Sequence, residues 1–162
     1  MKAIVYESNT GFTMKYAKLL EEKTGLPTYL LENSYDDLEK GTEIFFMGWV
    51  CAGKIEGYKK AAKKYNIIGA AAVGASAPEE KIVPQLKKSN NVKAPLFYLQ
   101  GGVNPAKLTK IKRAILCKVA DTVERTGESD QNTLNMIEAL RYGGDFTNEK
   151  NLNEILEWMK NV

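Results

Sequence analysis

The sequence predicts an α/β fold built on a mostly parallel sheet, on three observations. Short apolar runs such as residues 2–6 (KAIVY), 44–47 (IFFM) and 67–73 (IIGAAAV) are continuous rather than alternating. Strands covered on both faces read this way. Between these runs the apolar residues recur at helical spacing, so strand and helix patterns alternate along the chain.

Taken in order, residues 2–6 form the first strand. Phe12, Tyr16, Leu19 and Leu20 then fall on one face of a helix that Gly25 closes and Pro27 keeps from resuming. Residues 28–31 (TYLL) read as a second strand, and 34–40 as a polar turn or single helical turn before Gly41. The third strand, 44–47, ends at Gly48, and Tyr58, Ala61, Ala62 and Tyr65 mark the buried face of the next helix. Small residues in the fourth strand, 67–73, let helices approach closely. Pro78 opens an irregular helical stretch in which Pro84 is expected to kink or break the helix. Residues 96–99 (LFYL) are the fifth strand. Pro105 begins the clearest amphipathic helix, with Leu108, Ile111, Ile115 and Val119 on one face. A polar connector, 125–130 (RTGESD), leads to helices over 131–141 and 148–160, parted by the turn signal Gly143-Gly144-Asp145. Without a repeat or an interdomain linker, residues 1–162 read as a single domain.

Composition narrows the chemistry. The absence of histidine removes Ser-His-Asp triads, Cys-His pairs and His-ligated metals, and no metal site is expected. A net charge of +3 is too small for the concentrated basic stripe of a nucleic-acid binder. No run approaches the roughly 18 apolar residues of a membrane span. Cys51 and Cys117 form no CxxC, and the Met-Lys start followed by a strand pattern lacks a secretory n- and h-region. Reduced thiols and a cytoplasmic location are therefore expected.

Parallel sheets bind ligands beyond the carboxyl ends of their strands, where the strand order reverses. The loop after the first strand is Glu7-Ser8-Asn9-Thr10-Gly11-Phe12-Thr13. Its hydroxyls can donate, Gly11 lets backbone N–H groups converge, and the helix start adds unpaired donors with partial positive charge. It contains no Lys or Arg and is no Walker A loop. The alternative is an ordinary Ser/Thr N-cap with a glycine turn.

Ser8-Asn9-Thr10-Gly11-Phe12-Thr13 resembles the flavodoxin phosphate-loop pattern T/S-x-T-G-x-T, with Tyr6, Ala17 and Leu20 at the family's spacing. The resemblance implies a flavodoxin-like three-layer sandwich, a five-stranded parallel sheet of order 2-1-3-4-5, and FMN held by its phosphate at Ser8, Asn9, Thr10, Gly11, Phe12 and Thr13. A weaker similarity reaches over nearly the whole chain to flavodoxin-like protoporphyrinogen oxidases. It consists of an aromatic after the third strand, a basic helix after the fifth and a short final helix. Gly144-Asp145-Phe146 is similar to a stretch in small bacterial flavodoxin-domain proteins of unassigned role.

Two further loops complete the expected site. After the third strand, Gly48, Trp49, Val50, Cys51, Ala52, Gly53 and Lys54 give a ring room to approach, with Trp49 as a stacking surface or, alternatively, a core residue. Cys51 is a packing residue or a redox thiol. After the fourth strand, Ala75, Ser76 and Ala77 can offer backbone contacts but no second aromatic, which predicts a more open and weaker flavin site. Lys54, Lys59 and Lys60 are expected near the ring, where a cation favours the anionic reduced flavin and raises its potential. Lys107, Lys110, Lys112 and Arg113 form a solvated face or a docking surface for an acidic partner or anionic membrane.

With no catalytic acid or base evident, an FMN-binding electron carrier serving redox partner proteins is the leading expectation. The alternatives are a flavin-dependent oxidase or reductase acting on a protoporphyrinogen or quinone, and a flavodoxin-fold binding protein without flavin.

Overall fold

A computed structural model of the chain describes residues 1–125 and 130–162, with every side chain among them except that of Lys112. Five parallel strands form its core: β1 (Ala3–Glu7), β2 (Thr28–Leu30), β3 (Glu43–Cys51), β5 (Asn66–Gly74) and β6 (Leu96–Gln100). Their order across the sheet is β2-β1-β3-β5-β6, and the two-residue β4 (Lys54–Ile55) pairs antiparallel with β3. The fold is α/β with a mainly parallel sheet, as the continuous apolar runs require.

Helices cover both faces. On one, α1 (Phe12–Thr24) and α7 (Asn153–Met159) set Tyr16, Ala17, Leu20 and Ile155 against Ile4, Phe45, Met47, Ala71 and Leu99. Against the other lie α3 (Tyr58–Lys64) and α4 (Ile82–Asn90), packing Tyr58, Ala61 and Leu86 on Val5, Phe46, Ala70 and Ala72. The single turn α2 (Ser34–Asp37) sits beside them, its Ser34 hydroxyl sharing a 2.8 Å hydrogen bond with Tyr65. The alanines of β5 are fully buried, and Gly69 lies directly under the Trp158 ring, where a Cβ would have no room. Gly25 ends α1 in the left-handed conformation, as its position in the sequence indicates.

Beyond β6 the chain builds a separate small cluster. α5 (Lys110–Arg125) packs on α6 (Gln131–Tyr142) through Leu116, Ala120, Val123, Ile137 and Leu140. Arg141 ties the pair together, reaching Asp121 at 2.8 Å and Glu124 at 2.7 Å. The strands β7 (Gly102–Val103) and β8 (Gly144–Asp145) pair antiparallel at the base of this hairpin.

Several sequence expectations are corrected. The third strand does not end at Gly48 but runs on to Cys51. Residues 48–54 are therefore not a loop but most of a β-hairpin. Ala52 and Gly53 both have positive φ, 46° and 74°, the geometry that turns antiparallel strands tightly. Ala62 is exposed rather than on the buried face of α3. Pro84 breaks nothing, because it lies in the first turn of α4, where its missing N–H has no helical partner to lose. Pro105 starts a 3-10 turn, Pro105–Lys107, and α5 begins only at Lys110. The face expected to be core on that helix is solvent-exposed at Ile111, Ile115 and Val119. Gly143 is a turn residue with φ 97°, but Gly144 and Asp145 belong to β8. Of the connector over 125–130, residues 126–129 lie outside the described residues. The last helix over 148–160 is a 3-10 turn, Glu149–Leu152, followed by α7.

Candidate functional site at the carboxyl ends of the strands

The sheet order reverses between β1 and β3, and a cavity of about 480 Å³ opens at that point beyond the strands' carboxyl ends. Ser8, Asn9, Thr10, Phe12 and Thr13 line one end of it. Gly11 is the N-cap of α1, with φ 105°, a conformation that only glycine adopts without strain. No side-chain oxygen caps the helix. The hydroxyls of the loop are therefore not spent on an ordinary N-cap. The Ser8 Oγ is buried and makes no hydrogen bond. A buried hydroxyl without a partner is destabilising, and here it belongs to the loop whose donors surround the helix start.

Glu7 precedes the loop but turns to the other side of the sheet, where a Cβ on Gly57 would come within 2.8 Å of the Glu7 Cβ. Burial pushes its carboxyl up, opposed by Lys60 and reinforced by Glu32 and Glu56. Among the described residues, no charged side chain lines the cavity.

The β3–β4 hairpin supplies the second wall. Trp49 lies beside Val73 of β5, and Trp49, Val50, Cys51 and Ala52 all line the cavity. The hairpin is held rigidly on the end of α4. Asn90 Oδ1 accepts from the Ile55 N–H at 2.9 Å, while Ser89 Oγ and Asn90 Nδ2 donate to the Gly53 carbonyl at 2.8 and 3.0 Å. Gly48 and Gly53 do not line the cavity. A Cβ on Gly48 would fall 2.7 Å from Ile55 Cγ2, so Gly48 makes room for the hairpin itself. Lys54 donates to the Ser89 carbonyl at 2.7 Å, and neither it nor the exposed Lys59 and Lys60 reaches the cavity wall.

At the end of β5, Gly74, Ala75 and Ser76 line the cavity and Ala77 does not. Ser76 is fixed from two sides: its carbonyl accepts from the Tyr98 hydroxyl at 2.9 Å, and its Oγ donates to Met136 Sδ at 3.6 Å. Burial pushes the Tyr98 phenol up to about 12, with the hydrogen bond to Ser76 opposing. The neutral phenol is thus favoured in the folded protein. Its contribution to stability is complete below about pH 10 and is lost as the pH rises toward about 12. Denaturant unfolding at a series of alkaline pH values should show a steeper loss in the parent than in Tyr98→Phe. Identical alkaline profiles would contradict the burial assigned to this phenol.

The final wall comes from a segment in which the sequence offered no site. Leu108, Ile115, Leu116 and Val119, on and just before α5, together with Met136 and Leu140 of α6, close the cavity with aliphatic side chains. The Gly101-Gly102 pair brings this segment in. A Cβ on Gly102 would fall 2.7 Å from the Phe12 ring, and Gly101 donates to the Gly74 carbonyl at 2.7 Å. That paired glycine was the signal available. Lys110 and Arg113 are exposed on α5, and the side chain of Lys112 lies outside those described.

A larger, more open depression of about 960 Å³ lies at the amino ends of the strands, lined by Met1, Lys23, Leu26, Leu156 and Met159 among others. It has no glycine-turned helix start and none of the expected site residues. Among the described residues, no group of three His, Cys, Asp or Glu could hold a metal, and no helix is long and apolar enough to cross a membrane. No protein-family model, curated protein or solved structure matches the chain.

Proposed function

We propose that this chain is an FMN-binding redox protein of flavodoxin-like architecture. The observation that carries the reading is the buried, unpartnered Ser8 Oγ in a loop whose helix start has no side-chain cap. Such a loop offers hydroxyl and backbone N–H donors in one place, which suits a phosphate monoester. Leaving out the two-residue β4, the parallel strands stand in the order 2-1-3-4-5, and helices lie on both faces of the sheet; both features support a three-layer sandwich of this kind. In this reading Ser8, Asn9, Thr10, Gly11, Phe12 and Thr13 take the phosphate, while Trp49, Val50, Cys51, Ala52, Ala75 and Ser76 face the flavin. FMN, when bound, supplies the electron transfer; the chain anchors it, covers it and sets the polarity around it. Redox partner proteins in the cytoplasm would then give and take the electrons.

A second reading, a flavoenzyme that oxidises an apolar substrate such as a protoporphyrinogen or reduces one such as a quinone, draws support from the α5–α6 wall. A helical hairpin with exposed Ile111, Ile115 and Val119, beside a cavity that no charged side chain lines among the described residues, is more than a carrier needs.

Ser8→Ala tests the leading reading by two effects of opposite sign. Removing an unsatisfied buried hydroxyl should stabilise the flavin-free protein by about 1 kcal/mol, because that hydroxyl is desolvated without compensation. Losing one donor to a charged phosphate should weaken FMN binding by roughly tenfold or more. Thermal unfolding without flavin and fluorescence titration with it measure the two. An FMN affinity unchanged by the substitution would remove Ser8 from the site and, with it, the main support for this reading.

A further inference from the structure

The phosphate loop contains no cation in sequence, yet the fold brings one to it. Lys107 ends the 3-10 turn between β7 and α5, and its Nζ lies 3.7 Å from the point a Cβ on Gly11 would occupy. Gly11 is the N-cap of α1, held at φ 105°. The backbone that carries Lys107 is held in place. Its N–H donates to the Asn104 carbonyl at 3.1 Å, the Leu108 N–H donates to the Pro105 carbonyl at 3.2 Å, and Pro105 is buried against Gly143. Its neighbours Asn104 and Leu108 line the cavity. Two other lysines are engaged: Lys15 pairs with Asp145 at 2.8 Å and Lys54 donates to the Ser89 carbonyl. The Lys107 ammonium makes neither a hydrogen bond nor an ion pair with any described residue.

Resting on the FMN reading above, we infer that Lys107 is the cationic member of the phosphate site and selects a phosphate monoester over the uncharged alcohol at the same loop. The neutral donors of the loop can hold either a phosphate or a hydroxyl. An ammonium at its rim distinguishes them, because it attracts a dianion strongly and gains far less from a neutral alcohol. Lysine is exposed here, so the attraction is partly screened and depends on ionic strength.

The test compares FMN with riboflavin, which share the ring and differ in the phosphate. Dissociation constants are measured by flavin fluorescence at low and high salt for the parent, Lys107→Met and Lys107→Arg. The expected result is a loss of about tenfold in FMN affinity for Lys107→Met, unchanged riboflavin affinity, a flatter salt dependence, and recovery in Lys107→Arg. Equal FMN-to-riboflavin ratios in the parent and Lys107→Met would overturn the inference while leaving the FMN site in place. So would a parallel loss for both ligands, which marks a structural role. A parent that does not prefer FMN to riboflavin would overturn the phosphate site and the role of Lys107 together.

Discussion

Tyr16→Phe is expected to destabilise the protein by about 3 kcal/mol. Tyr16 lies on the apolar face of α1 and is fully buried. Its hydroxyl donates to the Gln100 carbonyl at 2.6 Å and accepts from the Asn148 N–H at 3.1 Å and from Asn151 Nδ2 at 2.9 Å. One oxygen therefore joins α1, the end of β6 and the 3-10 turn that leads into α7. Phenylalanine keeps the ring and its packing but leaves three polar groups without their partner. Each costs about 1 kcal/mol if solvent relieves part of the loss. The melting temperature should fall by roughly 6–12 °C for a chain of this size. A denaturation midpoint indistinguishable from the parent's would mean that the three contacts are replaced by water at no cost.

Replacing Thr10 and Thr13 together by alanine should weaken FMN binding at least about a hundredfold, since hydrogen bonds to a charged group contribute about 1.5–3 kcal/mol each. Both residues line the cavity, and Thr13, although only 1% exposed, is one of its lining residues. Circular dichroism of the double variant should match the parent, because neither hydroxyl caps the helix. Trp49 lies on the hairpin wall rather than in the loop. Its replacement by alanine should cost less, roughly tenfold, as a stacking surface does. Retained FMN affinity in a folded double variant would move the phosphate away from the start of α1.

The loop and the strands were legible because their signals are local. KAIVY followed by Ser8-Asn9-Thr10-Gly11 puts strand, turn and helix start within a few residues, and Gly11 takes the left-handed φ its place implies. The hairpin after β3 was harder to see, since Ala52 at φ 46° is an unusual residue for the first position of such a turn. The α5–α6 wall left only the Gly101-Gly102 pair as a signal in the sequence. Ile111, Ile115 and Val119 recur at helical spacing whether their face meets a core, a cavity or solvent. The orientation of that helix is set from a distance, by Arg141 bridging Asp121 and Glu124 and by the pairing of Gly102 with Asp145. The same long-range placement brings Lys107 to Gly11, about a hundred residues away in sequence.

The most direct test of the central claim is a titration of the purified protein with FMN, followed by flavin fluorescence and the visible spectrum. A flavin held at Ser8–Thr13 and covered by Trp49 should show saturable quenching and shifted visible bands. Free-flavin fluorescence and spectrum persisting up to about millimolar FMN, where binding would be worth no more than about 4 kcal/mol, would contradict it.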